Sequence, residues 1–162
     1  FLMSGLFQAG LPAGTITLGD LVAACFSSAN PCVSELSGVQ IVQALERGLD
    51  PGHNTYYHHS MRGTPVGIPQ ISGLTVFYDP DAHDGARIKR VLINGAPLEP
   101  ERFYRVAHSD AEWIREHGYL VQSETRHFEV EVPTILNEVI ADYLGANWPL
   151  QPPAGDRWKR TQ

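Results

Sequence analysis

A single α+β domain is what this sequence predicts, and three observations predict it. The chain has 162 residues, enough for one domain with a substantial core. Runs of β-branched and aromatic residues, Ile71 to Tyr78 and Arg87 to Ile93 above all, are separated by turn-forming residues. Two further segments, near 37–49 and 135–144, place apolar residues at helical spacing instead.

The elements follow in order. Phe1-Leu2-Met3 reads as the tail of a strand, so the chain is expected to begin inside a fold; a Gly/Pro-rich loop then runs from Gly5 to Gly14. Thr15 to Thr17 is β-like, Asp20 to Cys25 fits one or two helical turns, and Val33 to Leu36 reads as a strand. Ser37 with Gln40 three positions on forms a capping box. It opens a helix whose apolar positions are Val39, Val42, Leu45 and Leu49, closed between Gly48 and Gly52. Residues 52–70 form a long, aromatic, irregular stretch, a length that usually signals function.

A central hairpin comes next. Asp79 to Gly85 turns the chain between the two strong strands, and Asn94-Gly95 is a type I′ turn signature leading to a short strand at Ala96. Phe103 to Ala107 is a further strand, and Ser109 with Glu112 is a second capping box. Phe128 to Val132 is a strand, and Pro133 suits a helix start. Ile135, Leu136, Val139, Ile140, Tyr143 and Leu144 then make one stripe, with Gly145 as the C′ residue. The Pro-rich tail from Pro149 is expected on the surface.

Composition excludes several function classes. A formal net charge of −6 and the lack of any basic cluster beyond Arg157 to Arg160 disfavour nucleic acid as a partner. No apolar stretch approaches the ~20 residues that span a bilayer. Cys25 and Cys32 fit either a disulfide or two buried thiols.

A search for chemistry finds no nucleophile elbow, Walker loop, dinucleotide fingerprint or metalloprotease motif. Asp81-Ala82-His83 has the Asp-x-His form that opens many dimetal phosphoesterase sites, but it sits in the hairpin turn without the other ligands such a site needs. His58 and His59 read as pocket or surface residues, Tyr56 and Tyr57 as packing or stacking aromatics. Asp110 and Glu112 near His108 read as helix capping before acid/base equipment.

An ordered series of short motifs is more specific than any of these. It runs Leu11 to Thr17, Leu36-Ser37-Gly38 with Ala44-Leu45-Glu46, Pro69 to Leu74 with Tyr78-Asp79, and Arg87 to Ile93 with Asn94-Gly95 and Pro97-Leu98. Tyr104 to Ala107 and Gly118-Tyr119 complete it. In this order the series resembles the 5'-nucleotidase C-terminal domain family across nearly the whole chain. The resemblance implies a four-layer α/β/β/α domain, here one unit over residues 1–162 that lacks its N-terminal metallophosphoesterase partner. It implies a periplasmic, secreted or cell-surface setting, and a division of labour. The C-terminal domain holds a nucleotide or related small molecule, its base between two aromatic rings. The N-terminal domain holds a divalent dimetal centre, so this chain carries no cofactor and is inactive alone.

Transferred onto this sequence, the family's ligand positions fall on Gln8, Ile68, Gln70, Ala111, His117 and Tyr119. Four hallmarks are changed: the phosphate-side Arg is Gln8, the stacking Phe positions are Ile68 and Ala111, and the acidic residue of the Gly-Gly-Asp-Gly-Tyr motif is His117. One consequence would be a different ligand, held by a rearranged pocket of Tyr56, Tyr57, His58, His59, Arg62, Trp113 and Tyr119. The others would be a noncatalytic structural or protein-interaction module on the same scaffold, or a domain of a non-nucleotide hydrolase, such as one acting on sulfur compounds.

Overall fold

The computed structural model describes residues 1, 4–25, 27–56, 66–113, 118–121, 125–151 and 155–161. Helix α1 spans Leu18–Ala24, α2 Gly38–Leu49, α3 Pro51–Asn54 and α4 Leu136–Ala146. Strand β1 spans Pro31–Ser37, β2 Leu74–Tyr78, β3 Ile88–Ile93 and β4 Ala96–Pro97. β5 spans Phe103–Ser109, β6 His127–Val130 and β7 Trp158–Arg160. The strands make two sheets, one ordered β5-β1-β6 and one ordered β4-β3-β2-β7. The expected α+β class holds.

Helix α2 joins the two sheets. Its start is the expected capping box: Ser37 N–H donates to Gln40 Oε1 at 2.7 Å and Gln40 N–H to Ser37 Oγ at 3.3 Å. The buried face is Ile41, Ala44, Leu45 and Gly48, the i, i+3, i+4, i+7 set. Val39 is 42% exposed, so the expected stripe is rotated. The small residues explain the rotation. A Cβ at Gly38 would lie 2.3 Å from the Glu99 carbonyl oxygen, and one at Gly48 would lie 2.3 Å from Pro69 Cδ. The helix therefore sits too close to its neighbours for any larger face. Glu46 closes the arrangement by accepting hydrogen bonds from the Arg87 N–H at 3.2 Å and the Ile88 N–H at 2.7 Å, which fixes where β3 begins.

Three other expectations are corrected. Thr17 is the N-cap of α1, not part of a β segment: Asp20 accepts from the Thr17 N–H and hydroxyl at 2.8 and 2.7 Å, a capping box that reaches back. Helix α4 begins at Leu136, after Pro133, with the Ile135 N–H donating to Glu138 Oε2 at 3.1 Å. Gly145 lies inside that helix and Asn147 caps it. The tail lies on the surface as expected, and its end adds a strand, β7 pairing parallel with β2, Val76 opposite Trp158. The Asn94-Gly95 turn is confirmed, both residues having positive φ (50° and 84°).

The core runs through both sheets, from Leu36 of β1 through Ile41 and Leu45 to Val76, Val91 and Tyr119. In α4 only Leu136 is buried, and Tyr143 is 58% exposed; Leu144 and Trp148 border a cleft of about 400 Å³ with Leu18 and Leu21.

Candidate ligand-binding site

The transferred ligand positions sit on three segments that the fold draws together. Gln8 follows a short 3₁₀ turn at Ser4–Leu6, is exposed, and has its N–H bonded to the Ala24 carbonyl at 2.7 Å. Ile68 (40% exposed) and Gln70 (exposed) lie on the loop that leads into β2. Between them the buried Pro69 packs on Gly48 of α2, so the loop is seated against the helix. A cavity of about 370 Å³ has Phe7 and Ala9, the neighbours of Gln8, on one side and Gln70 on the other. Gln70 also borders a second cavity of about 510 Å³.

Tyr119 holds this loop from beneath. Its ring is fully buried, and its hydroxyl donates to the Gly67 carbonyl, with the Val66 carbonyl also at 3.3 Å. Arg47 Nη1 donates to the Tyr119 carbonyl at 2.7 Å. Burial, helped by the Glu112 carboxylate, pushes the phenol well above its ordinary range. Tyr119 thus presents no ring face to a ligand; it fixes the loop that carries Ile68 and Gln70.

Ala111 occupies a 3₁₀ turn over Asp110–Trp113 and packs partly buried against the core. The turn is pinned from three directions. Glu112, fully buried, accepts from the N–H and the hydroxyl of Ser109. Asp110 and Asn30 exchange bonds at 3.0 Å, backbone N–H to carbonyl one way and backbone N–H to carboxylate the other. The Leu120 N–H donates to the Glu112 carbonyl at 3.1 Å, tying the turn to Tyr119. The capping role expected of Ser109 and Glu112 is therefore what the structure shows.

Sequence reasoning missed the layer behind this turn. His108 Nδ1 donates to the Ser109 carbonyl at 2.8 Å, which leaves Nε2 to accept the Ser34 hydroxyl at 2.7 Å. The Trp113 indole N–H is directed at the same imidazole, 3.0 Å from Nδ1 and 3.3 Å from Nε2, and with both ring nitrogens already engaged this is an N–H···π contact. Phe128 completes the group, its ring 4.7 Å from Trp113 and stacked on His108 at 6.2 Å and 10°. Burial lowers His108 to about 4, so the imidazole is neutral near pH 7. Trp113 is thus spent on internal packing. Ser34 stands 74 residues before His108, and nothing in the linear sequence joins them.

Other candidates resolve simply. Tyr56 packs partly buried against the core, and its carbonyl accepts from the Val66 N–H at 2.9 Å. Asp81 bonds to Arg160 at 2.7 Å and His83 Nδ1 donates to the Asp84 carbonyl at 3.0 Å, as turn residues do. Cys25 and Cys32 are free, buried thiols, and burial raises both, Cys32 to about 11. His117, Tyr57, His58, His59 and Arg62 lie outside the described residues. Among the described residues no group of three or more His, Cys, Asp or Glu side chains could hold a metal ion, and no helix is long and apolar enough to cross a membrane.

Comparison with known proteins places the fold. The trifunctional nucleotide phosphoesterase protein YfkN of Bacillus subtilis (strain 168) is 28% identical over 130 residues, covering 77% of this chain and 8% of its own length. A 5'-nucleotidase precursor from Thermus thermophilus superposes with a TM-score of 0.82 at 24% identity, over 98% of this chain and 30% of that one. The sulfate thiohydrolase SoxB of the same organism superposes with a TM-score of 0.64 at 24% identity, over 93% of this chain and 26% of that one. The chain thus spans under a third of each of these proteins, and the structural matches show the fold. The model of the "5'-nucleotidase, C-terminal domain" family matches residues 1–119, and this chain belongs to that family.

Proposed function

We propose that this chain is the ligand-holding domain of a 5'-nucleotidase-like phosphoester hydrolase acting in nucleotide breakdown, and that it breaks no bond itself. The family match over residues 1–119 carries the reading. On it, residues 1–162 are one domain that serves an N-terminal metallophosphoesterase domain. That domain would supply a divalent dimetal centre to polarise the phosphoester and generate the attacking hydroxide. The setting is periplasmic, secreted or cell-surface, as in the family.

The ligand site is the surface shared by Gln8, Ile68, Gln70 and Ala111, with Tyr119 as its support; the sequence resemblance adds His117 to the set. Gln8 offers an amide where the family has a guanidinium, so a bidentate bond from a cation to phosphate gives way to a hydrogen bond from an uncharged donor, without the ion-pair attraction. Ile68 gives an exposed aliphatic face for a flat ring, which keeps the burial contribution and loses ring–ring stacking, about 0.5–1.5 kcal/mol. Gln70 can donate to and accept from the edge of a base. These substitutions favour the nucleoside moiety over the phosphate. A thermal-shift screen against nucleosides, nucleotides and nucleotide sugars tests the reading. It predicts a saturable upward shift with at least one nucleoside-bearing compound, reduced in Gln70→Ala; a flat response to all of them contradicts it.

A further inference from the structure

Helices α1 and α4 leave an apolar cleft uncovered between them. Leu18 and Leu21 are three residues apart on α1; Ala141, Leu144 and Gly145 stand at i, i+3 and i+4 on α4, with Trp148 just past its end. Each set therefore shares one side of its helix. Together with the 15–17 segment that leads into α1 they line a space of about 400 Å³. Leu21 is buried, whereas Leu18 is 68% and Trp148 52% exposed. A lone exposed leucine needs no explanation, but a leucine and a tryptophan exposed on the border of one apolar cleft mark a contact surface.

Charge decides what kind of partner fits. None of the lining side chains is charged, and the charged side chains of the two helices are all acidic: Asp20 on α1, Glu138 and Asp142 on α4. Glu138 and Asp142 are i, i+4 neighbours, each three residues before a lining position, Ala141 and Gly145, so they edge the cleft along α4. The Asp20 carboxylate lies 2.7 Å from the hydroxyl of Thr17, a lining residue, and that hydrogen bond holds it below the usual carboxylate range. Residues 1–30 and 132–151 contain no Lys, Arg or His. The Phe1 ammonium is bonded to the Ala107 carbonyl of β5, beside a different cavity. A second copy docked face to face would set carboxylates against carboxylates, and an anionic membrane surface would meet the same repulsion.

We propose that this cleft docks an amphipathic helix of a partner protein, its apolar face against Leu18, Leu21, Leu144 and Trp148 and its flanking Lys or Arg residues beside Asp20, Glu138 and Asp142. The proposal does not depend on the phosphoester reading.

Fluorescence anisotropy of a dye-labelled amphipathic peptide of Leu and Lys, beside the same peptide with Glu in place of Lys, tests it on the intact chain. The Leu/Lys peptide binds saturably and at least tenfold more tightly than the Leu/Glu peptide. Leu18→Ser combined with Trp148→Ala keeps every charge and weakens it at least tenfold, with urea unfolding as the check on folding. Asp142→Lys, at an exposed position, narrows the preference between the two peptides at least threefold and decides the matter should the first variant be unstable. Absence of saturable binding, equal affinity for the two peptides, or an unchanged preference in Asp142→Lys overturns the proposal. So does full affinity in a folded Leu18→Ser, Trp148→Ala chain, which would leave charge alone as the cause. A dimer seen in sedimentation velocity and lost in Leu18→Ser also overturns it, because the occupant would then be a second copy.

Discussion

Replacing Tyr119 by Phe separates support of the ligand loop from mere filling of the core. The substitution keeps the buried ring and removes one hydroxyl, the one that donates to the Gly67 carbonyl with Val66 close by. That carbonyl stays out of water because the 66–70 loop is held from the other side, the Val66 N–H on Tyr56 and the Gly67 N–H on Asn54 at 2.9 and 2.7 Å. An abandoned buried acceptor costs about 1–3 kcal/mol. For a chain of this length that is a fall in Tm of about 3–9 °C. Differential scanning calorimetry and urea unfolding measure it. Tyr143→Phe is the control, since Tyr143 is 58% exposed and its loss is expected within about 0.5 kcal/mol of zero. Ligand response in the thermal-shift screen should also weaken in Tyr119→Phe, because Ile68 and Gln70 ride on the loosened loop. Equal stability of parent and Tyr119→Phe, or an equal loss in the Tyr143 control, refutes the argument.

Further predictions follow the same logic. His108 has its pKa lowered from 6.5 to about 4 by burial, so the unfolded chain binds its proton first and stability falls with pH below about 6.5. Between pH 6.5 and 5 this one group removes about 2 kcal/mol; urea midpoints across that window should drop in the parent and flatten in His108→Gln, and parallel profiles would contradict the assignment. Gly48→Ala drives a Cβ into Pro69 at 2.3 Å and should cost about 1–3 kcal/mol while displacing the loop that carries Gln70, which amide chemical shifts at residues 66–71 would report. Glu46→Ala leaves the Arg87 and Ile88 N–H groups without their acceptor and should cost about 2 kcal/mol or more; hydrogen exchange at those two amides would become fast, and unchanged protection would count against it.

What was legible in the sequence is what is local. Ser37 with Gln40 and Ser109 with Glu112 are three residues apart, so their capping geometry is written in the chain itself, as is the Asn94-Gly95 turn. The Thr17–Asp20 box has the same spacing, yet the β-branched Thr15-Ile16-Thr17 run masked it. What was not legible is what tertiary contact decides. The buried face of α2 is set by how closely Gly38 and Gly48 meet the chain at Glu99 and Pro69, 61 and 21 residues on. The pairing of β7 with β2 and the Ser34–His108 bond join residues about 74 or more positions apart, and no periodicity announces either. For the site, the transferred positions Gln8, Ile68, Gln70 and Ala111 fall on segments far apart in sequence, and together they define the surface proposed for the ligand. They misjudged depth: Tyr119 is beneath that surface, and Trp113 is turned inward onto His108 and Phe128.

Phosphate release from nucleoside monophosphates, incubated with the purified chain and Mg²⁺, Mn²⁺, Zn²⁺ or Co²⁺ in turn, bears most directly on the division of labour proposed for this domain. The expected result is a rate indistinguishable from the metal-only blank in every case, alongside a thermal shift with a nucleoside. Sustained turnover that scales with chain concentration and survives repurification would contradict it, and would place the bond-breaking groups within these 162 residues.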